Sequence, residues 1–161
     1  MTDFDVVIEE NFLTNEESDY CINYHKKNFN VNDKNLCFLH RQTEVLSCIE
    51  LLNNDIIKNI YFKLNKFIKK IHNKCSIHYF EIVKWPEKEC QEQHLDLDHH
   101  PFTSILYLND NFEGGQTIVG NTAFPPVKNR IICFRGNKIL HKVNLITSGT
   151  RYTLPSWYKY D

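Results

Sequence analysis

The sequence predicts an α+β domain: helices first, then a run of strands that closes into a sandwich or barrel. Three observations carry that expectation. The stretch NDIIKNIYFKLNKFIKKIH places Ile56, Ile57, Ile60, Tyr61, Leu64, Phe67, Ile68 and Ile71 at helical spacing, with lysines between them. From Ile77 onward the texture changes to IHYFEIVKW, FTSILYLN, RIICF and TRYTLPSWY, short segments rich in β-branched and aromatic residues and punctuated by Pro, Gly and Asn. The length of 161 residues, with eleven Phe and eight Tyr, suits one domain with a full core, and there is no internal repeat or low-complexity segment.

Taken in order, DFDVVIEENF reads as a short strand leading into a helix. Thr14 and Glu17 fit a T-x-x-E capping box, and the helix should run to about Tyr24. Residues 28 to 43 read as polar and irregular, and EVLSCIELL fits a strand or a helix equally. Asn54 or Asp55 can cap the helix over residues 55–72, which should cover one sheet face. The expected division is a mostly helical support over residues 1–76 and a strand-built core over 77–161 that carries the site.

Composition narrows the function classes. A net charge of −1 gives no electrostatic footprint for nucleic acid, and a solvated face is the commoner explanation of the lysines on helix 55–72. No apolar run is long enough to span a bilayer, and MTDFDVVIEENF lacks the features of a signal peptide. Six scattered cysteines (Cys21, Cys37, Cys48, Cys75, Cys90, Cys133) show no C-x-x-C and no framework spacing, so free thiols are expected. The expectation is a cytoplasmic monomer. With only four arginines, Arg41, Arg130, Arg135 and Arg151, each invites a reason.

The chemistry concentrates in QHLDLDHHPFTSILYLNDNFEGGQT. Strand alternation would put His94, Asp96 and Asp98 on one face and Leu95, Leu97 and His99 on the other. H-x-D alone is weak evidence in a chain with eight histidines. It gains weight from His141 on a short apolar segment and from Arg151 ten residues later. Two histidines and one carboxylate leave half an octahedron open and suit Fe(II), although Mn, Co, Ni or Zn would occupy the same ligands. Arg151 and Thr153 share a strand face, and a guanidinium fork beside a hydroxyl is a receptor for a carboxylate.

The pattern His94-x-Asp96 … His141 … Arg151 resembles the Fe(II)- and 2-oxoglutarate-dependent dioxygenases, and most of all their prolyl hydroxylase branch. IVKWPEKECQEQHLD resembles the strand and turn that lead into the branch's H-x-D. TSILYLNDNFEGGQT is similar to its "LN…GGeT" segment, LHKVNLITSGTRYTLPSWY to its closing "HxV…sGtRy…W", and ENFLTNEESDYCINY to its usual entry. The resemblance covers residues 79 to 159 well and the N-terminal half loosely.

It implies a double-stranded β-helix, or jelly roll, with N-terminal supporting helices. It implies iron on His94, Asp96 and His141, with no catalytic side chain beyond these ligands. Arg151 would pair with the far carboxylate of 2-oxoglutarate, supported by Tyr107 and beside Thr153, with Ile105, Val143 and Trp157 lining the cosubstrate pocket. Trp85 stands where the branch often has a tyrosine. The implied reaction hydroxylates a substrate C–H, with peptidyl proline the leading substrate, and consumes O₂ and 2-oxoglutarate, with ascorbate as an accessory. A peptide or protein partner follows. Two departures accompany Trp85: PVKNRIICF lacks the glycine usual before its strand, and the loop between Gly115 and Pro125 is short.

Plainer readings stand beside these. Tyr107, Ile105, Val143 and Trp157 would be buried in any core, and Gly114-Gly115 is first a turn. Asp98, His99 and His100 read as a solvated turn, while His25, His40, His72 and His78 read as having no site role. HLDLDHH is near the H-x-H-x-D-H of metallo-β-lactamase-like hydrolases, but Asp96 replaces a histidine and Arg151 would then have no purpose. The same residues also fit a metal-binding jelly roll without turnover, or a hydroxylase of a free amino acid or small metabolite. A nucleic-acid demethylase lacks support from the charge.

Overall fold

The apolar stripe that marks helix 55–72 in the sequence also fixes where that helix lies. In the computed structural model, which describes residues 6–161, α2 runs Asp55–Ile71 and buries Ile57, Ile60, Leu64, Phe67 and Ile68. Asn54 caps it, accepting from the backbone N–H groups of Ile56 and Ile57 at 3.1 Å. Ile60 and Leu64 are fully enclosed, so truncating either to alanine costs about 2–5 kcal/mol. The preceding helix, α1 (Asn15–Asn28), starts with the expected reciprocal capping box between Thr14 and Glu17 and extends one turn beyond Tyr24. The Glu17 carboxylate also accepts from Lys63 Nζ at 2.7 Å and Asn59 Nδ2 at 3.1 Å, so one cap ties the two helices together.

Both helices pack on the outer face of a seven-stranded antiparallel sheet. Its order is β1 (Val6–Glu9), β10 (Ile131–Phe134), β6 (Phe102–Tyr107), β13 (Arg151–Tyr160), β4 (Cys75–Trp85), β3 (Thr43–Ser47) and β2 (Cys37–His40). Alternation sorts the side chains as the period of two requires. Phe80, Ile82, Phe102, Leu106, Ile131, Cys133 and Leu154 face the helices, while Val83, Trp85, Ile132 and Phe134 face inward. A second sheet covers the inner face, in the order β5 (Gln91–His94), β11 (His141–Val143), β8 (Thr117–Val119) and β9 (Thr122–Phe124).

From β4 onward the chain steps between the sheets: β4 large, β5 small, β6 large, β8 and β9 small, β10 large, β11 small, β13 large. That alternation is the double-stranded β-helix, and it places residues of β4, β5, β6, β11 and β13 around one cavity between the sheets. A short ladder of β7 (Glu113–Gly114) with β12 (Ile146–Ser148) closes one end. Gly114, at φ +75°, is required there, because a Cβ would collide with the Leu145 carbonyl oxygen.

The sequence reading needs correction in the N-terminal half. Asp3 to Asp5 of the expected first strand lie outside the described residues, and the strand itself is β1. Residues 28–43 are not wholly irregular, since they contain β2. EVLSCIELL is both things at once, β3 followed by a 3₁₀ turn at Ile49–Leu51. Residues 1–76 are therefore more than helical support, because β1, β2 and β3 widen the large sheet at both edges. All six cysteines are unpaired, and no helix among the described residues is long and apolar enough to cross a membrane.

Candidate active site

β5 ends at His94 and β11 begins at His141, and the two residues are register partners across the small sheet. Their rings lie 4.3 Å apart between centroids. Asp96 does not continue β5. It sits in the loop that follows, with its backbone N–H donating to the Gly136 carbonyl at 2.9 Å, so the alternation expected through Asp98 stops at His94. The loop still delivers the carboxylate, with Asp96 Oδ1 at 3.6 Å from His94 Nε2 and 3.5 Å from His141 Nε2.

The neighbours of these three residues fix which atoms point inward. His94 Nδ1 donates to the Glu92 carbonyl and His141 Nδ1 to the Ile139 carbonyl, each at 2.9 Å. A carbonyl can only accept, so in both rings Nδ1 carries the hydrogen and Nε2 presents its lone pair to the shared space. Thr103 Oγ1 donates to Asp96 Oδ2 at 2.5 Å, which leaves Oδ1 for the histidines. A Cβ on Gly136 would collide with Thr103 Oγ1 and Asp96 Oδ2, so only glycine lets the turn after β10 pass so close. Burial pushes the Asp96 carboxyl upward, but without a metal the facing imidazoles of His141 and His94, when protonated at Nε2 as well, and the bond from Thr103 outweigh it and hold the group well below the usual carboxylate range. Asp96 in turn raises His94. Two nitrogens and one oxygen within 4.8 Å of each other form a group able to hold a metal ion.

These residues line a cavity of about 280 Å³ whose wall also contains Arg151. Arg151 is 1% exposed, and burial lowers its pKa against the opposing influence of Tyr107. Its Nε donates to the Gly115 carbonyl at 3.0 Å and its Nη2 to Thr117 Oγ1 at 3.2 Å. The guanidinium also lies over the rings of Trp85, at 4.9 Å, and Tyr107, at 5.5 Å. No ion pair among the described residues engages it. A buried guanidinium with partners on one side only is a receptor for an incoming anion.

Most of the residues named from the sequence meet here. Trp85, Ile105, Val143, Thr153 and Trp157 line the same cavity, and alternation along β13 puts Arg151, Thr153, Pro155 and Trp157 on one wall. Tyr107 does not line it. Its hydroxyl is buried against Thr117 Oγ1 at 2.6 Å and the Phe124 carbonyl at 3.2 Å, behind the arginine. Asp98 and His99 do form a turn, but His100 is buried rather than solvated. His40 lines the cavity and His78 joins His99 and His100, so both depart from the reading that gave them no place.

Four cavity features escaped the sequence. Thr117, the last residue of GGQT, bridges Arg151 and Tyr107. Tyr79 and Glu81 follow by counting back in twos from Trp85 along β4. Phe38, His40, Thr43 and Val45 come from the β2–β3 hairpin, of which the sequence offered only β3, as one of two readings of EVLSCIELL. The fourth is a charge oddity: the Glu81 carboxyl has no hydrogen-bond partner among the described residues, and burial lifts its pKa to about 7.

No protein-family model and no curated protein matches the chain. Solved structures do. A viral collagen prolyl hydroxylase from Paramecium Bursaria Chlorella virus-1, in its 2OG complex, is similar at 20% identity and a TM-score of 0.78, over 99% of this chain and 98% of that one. A prolyl-4-hydroxylase from Pseudomonas putida is similar at 16% identity and a TM-score of 0.65, over 99% and 94%. An α-ketoglutarate-dependent epimerase of nogalamycin biosynthesis, SnoN, is similar at 11% identity and a TM-score of 0.73, over 96% and 78%. This chain thus has the fold of the 2OG-Fe(II) oxygenase structures, prolyl hydroxylases among them.

Proposed function

We propose that this protein is an Fe(II)- and 2-oxoglutarate-dependent oxygenase that hydroxylates a substrate C–H, with peptidyl proline as the substrate. One observation carries the reading. A single cavity holds two imidazole Nε2 atoms and a carboxylate oxygen together with a buried arginine that has no acidic partner. That donor set suits Fe(II), and the arginine suits the far carboxylate of a dicarboxylic cosubstrate. Bound there, Fe(II) and 2-oxoglutarate would activate O₂, the oxidant for hydroxylation, with release of succinate and CO₂.

The work of the chain's own residues is positional. His94, Asp96 and His141 would hold the metal, each fixed by a bond from its other polar atom. Arg151 orients the cosubstrate, with Trp85 and Thr117 holding the guanidinium in place. The indole N–H of Trp85 is buried without a partner and would donate to a bound oxygen. Ile105, Val143 and Trp157 exclude water from the cavity wall.

Glu81 favours a second reading, an amino acid or other small amine as substrate. An unpaired carboxyl facing the cavity would pair with an ammonium group, which a prolyl ring inside a peptide lacks. Succinate release from 2-oxoglutarate, with Fe(II) and ascorbate and Asp96→Ala as the blank, separates the readings. Stimulation by proline-rich peptides supports the first, and stimulation by free amino acids alone supports the second. Metal-loaded protein that makes no succinate under any of these conditions would overturn both in favour of a non-catalytic jelly roll.

A further inference from the structure

Three imidazoles meet outside the set assigned above. His78, His99 and His100 each offer a ring nitrogen, and these nitrogens lie within 4.8 Å of one another. His78 Nδ1 is 2.9 Å from His100 Nε2, and the rings of His99 and His100 are 4.1 Å apart between centroids. His100 is buried, while His78 and His99 are exposed.

The backbone builds this cluster from two sides. Along β4 and β13, Trp157 pairs with Tyr79 and the next residue, Tyr158, pairs with Ile77, which leaves His78 as the extra residue of a β-bulge. A bulge breaks the alternation of its strand and re-aims the side chain it carries. Ile77 and Phe80 face the helices and Tyr79 and Glu81 face the cavity, so His78 belongs to neither face and meets His100 instead. The other two histidines come from a turn closed by the His100 N–H on the Leu97 carbonyl at 2.9 Å. Asn137 Nδ2 fixes that turn by donating to the Asp98 carbonyl at 3.0 Å.

We infer that His78, His99 and His100 form a second metal site, a three-imidazole site for a divalent cation of the zinc type with its fourth position open to solvent. An all-imidazole donor set suits Zn, Cu or Ni and differs from the two nitrogens and one oxygen of the first site. Zinc–imidazole bonds of about 2.0–2.1 Å at tetrahedral angles set nitrogens about 3.3–3.4 Å apart. Rotamer changes in the exposed His78 and His99 would bring the cluster to that spacing. A cation here would tie the β4 bulge to the loop that carries Asp96. Its wall adjoins the cavity, since Tyr79 packs edge-on to His100 at 5.2 Å and stacks on Trp157 at 4.6 Å. The inference does not depend on the reaction assigned to the first site.

The test is Zn(II) and Co(II) titration of the full chain. Wild-type protein should bind two equivalents, and Asp96→Ala/His141→Ala should keep one. His78→Gln/His99→Gln, both at exposed positions, should lose the second equivalent, with affinity there down at least ~10-fold as for removal of a metal-site partner. In the Asp96→Ala/His141→Ala background, Co(II) should show the intense visible bands of a four-coordinate ion, absent once His78 and His99 are also replaced. Two results would overturn the site: one equivalent in wild type that vanishes in Asp96→Ala/His141→Ala, or a second equivalent and Co(II) spectrum that persist in His78→Gln/His99→Gln.

Discussion

The Arg151 guanidinium carbon lies 4.9 Å from the centre of the Trp85 ring, and the indole N–H of that ring has no hydrogen-bond partner. The ring face holds the cation while the ring edge stays available to a ligand. Arg151→Ala should therefore raise the KM for 2-oxoglutarate by roughly 30-fold or more, from the ~2–5 kcal/mol that a desolvated charge pair loses on truncation. Metal affinity should stay unchanged. Trp85→Phe keeps the stacking and removes only the N–H, and should raise the same KM about 2–10-fold. Normal succinate kinetics in both variants would remove Arg151 from the cosubstrate site.

Thr103 and Gly136 set the position of Asp96 without touching a metal themselves. Thr103→Val should weaken metal binding by about 10–100-fold, and Thr103→Ser should restore it. Gly136→Ala should be at least as damaging, since its Cβ would sit on the Asp96–Thr103 bond. Competition against a chromophoric chelator measures all three.

Glu81 gives the metal-free protein a pH dependence opposite to that of most carboxylates. Its pKa is about 7 in the fold against about 4.3 in an unfolded chain. Between those values the folded state keeps a proton that the unfolded state has released. Stability from this group is therefore greatest below the unfolded value and is lost as pH rises to about 7. Glu81→Gln should flatten that slope and stabilise the protein at pH 8 by about 1–3 kcal/mol, the lower end applying where water in the cavity screens the charge. Urea unfolding at pH 5 and pH 8 reads the difference.

Tyr107→Phe distinguishes a residue behind the arginine from one that binds the cosubstrate. Its hydroxyl is engaged by Thr117 and Phe124, so the variant should lose about 1–3 kcal/mol of stability. The KM for 2-oxoglutarate should move less than about 3-fold, whereas loss of a direct hydrogen bond to a carboxylate would cost about 10-fold or more.

What the sequence made legible followed from strong periodicity. α2 was readable because eight apolar residues kept one helical face, and β13 because Arg151, Thr153 and Trp157 alternate along a strand paired on both sides. The Thr14–Glu17 cap was readable because it is local. Asp96 reaches the histidines by a loop rather than by the strand alternation that the sequence suggested. β2 was missed because it is a short edge strand with only Cys37 buried, and β3 stayed open between strand and helix because a 3₁₀ turn follows it directly. The Thr117 hydroxyl meets both Tyr107 and Arg151 in a contact that no local pattern encodes.

The β2–β3 hairpin makes the cavity a composite of two separately encoded parts. Its contributions, Phe38, His40, Thr43 and Val45, reach the cavity from the sheet edge beyond β4. None of them contacts Asp96, Thr103 or Gly136 through a hydrogen bond. A library confined to residues 37–45 could therefore re-tailor what enters the cavity while leaving the ligand geometry intact.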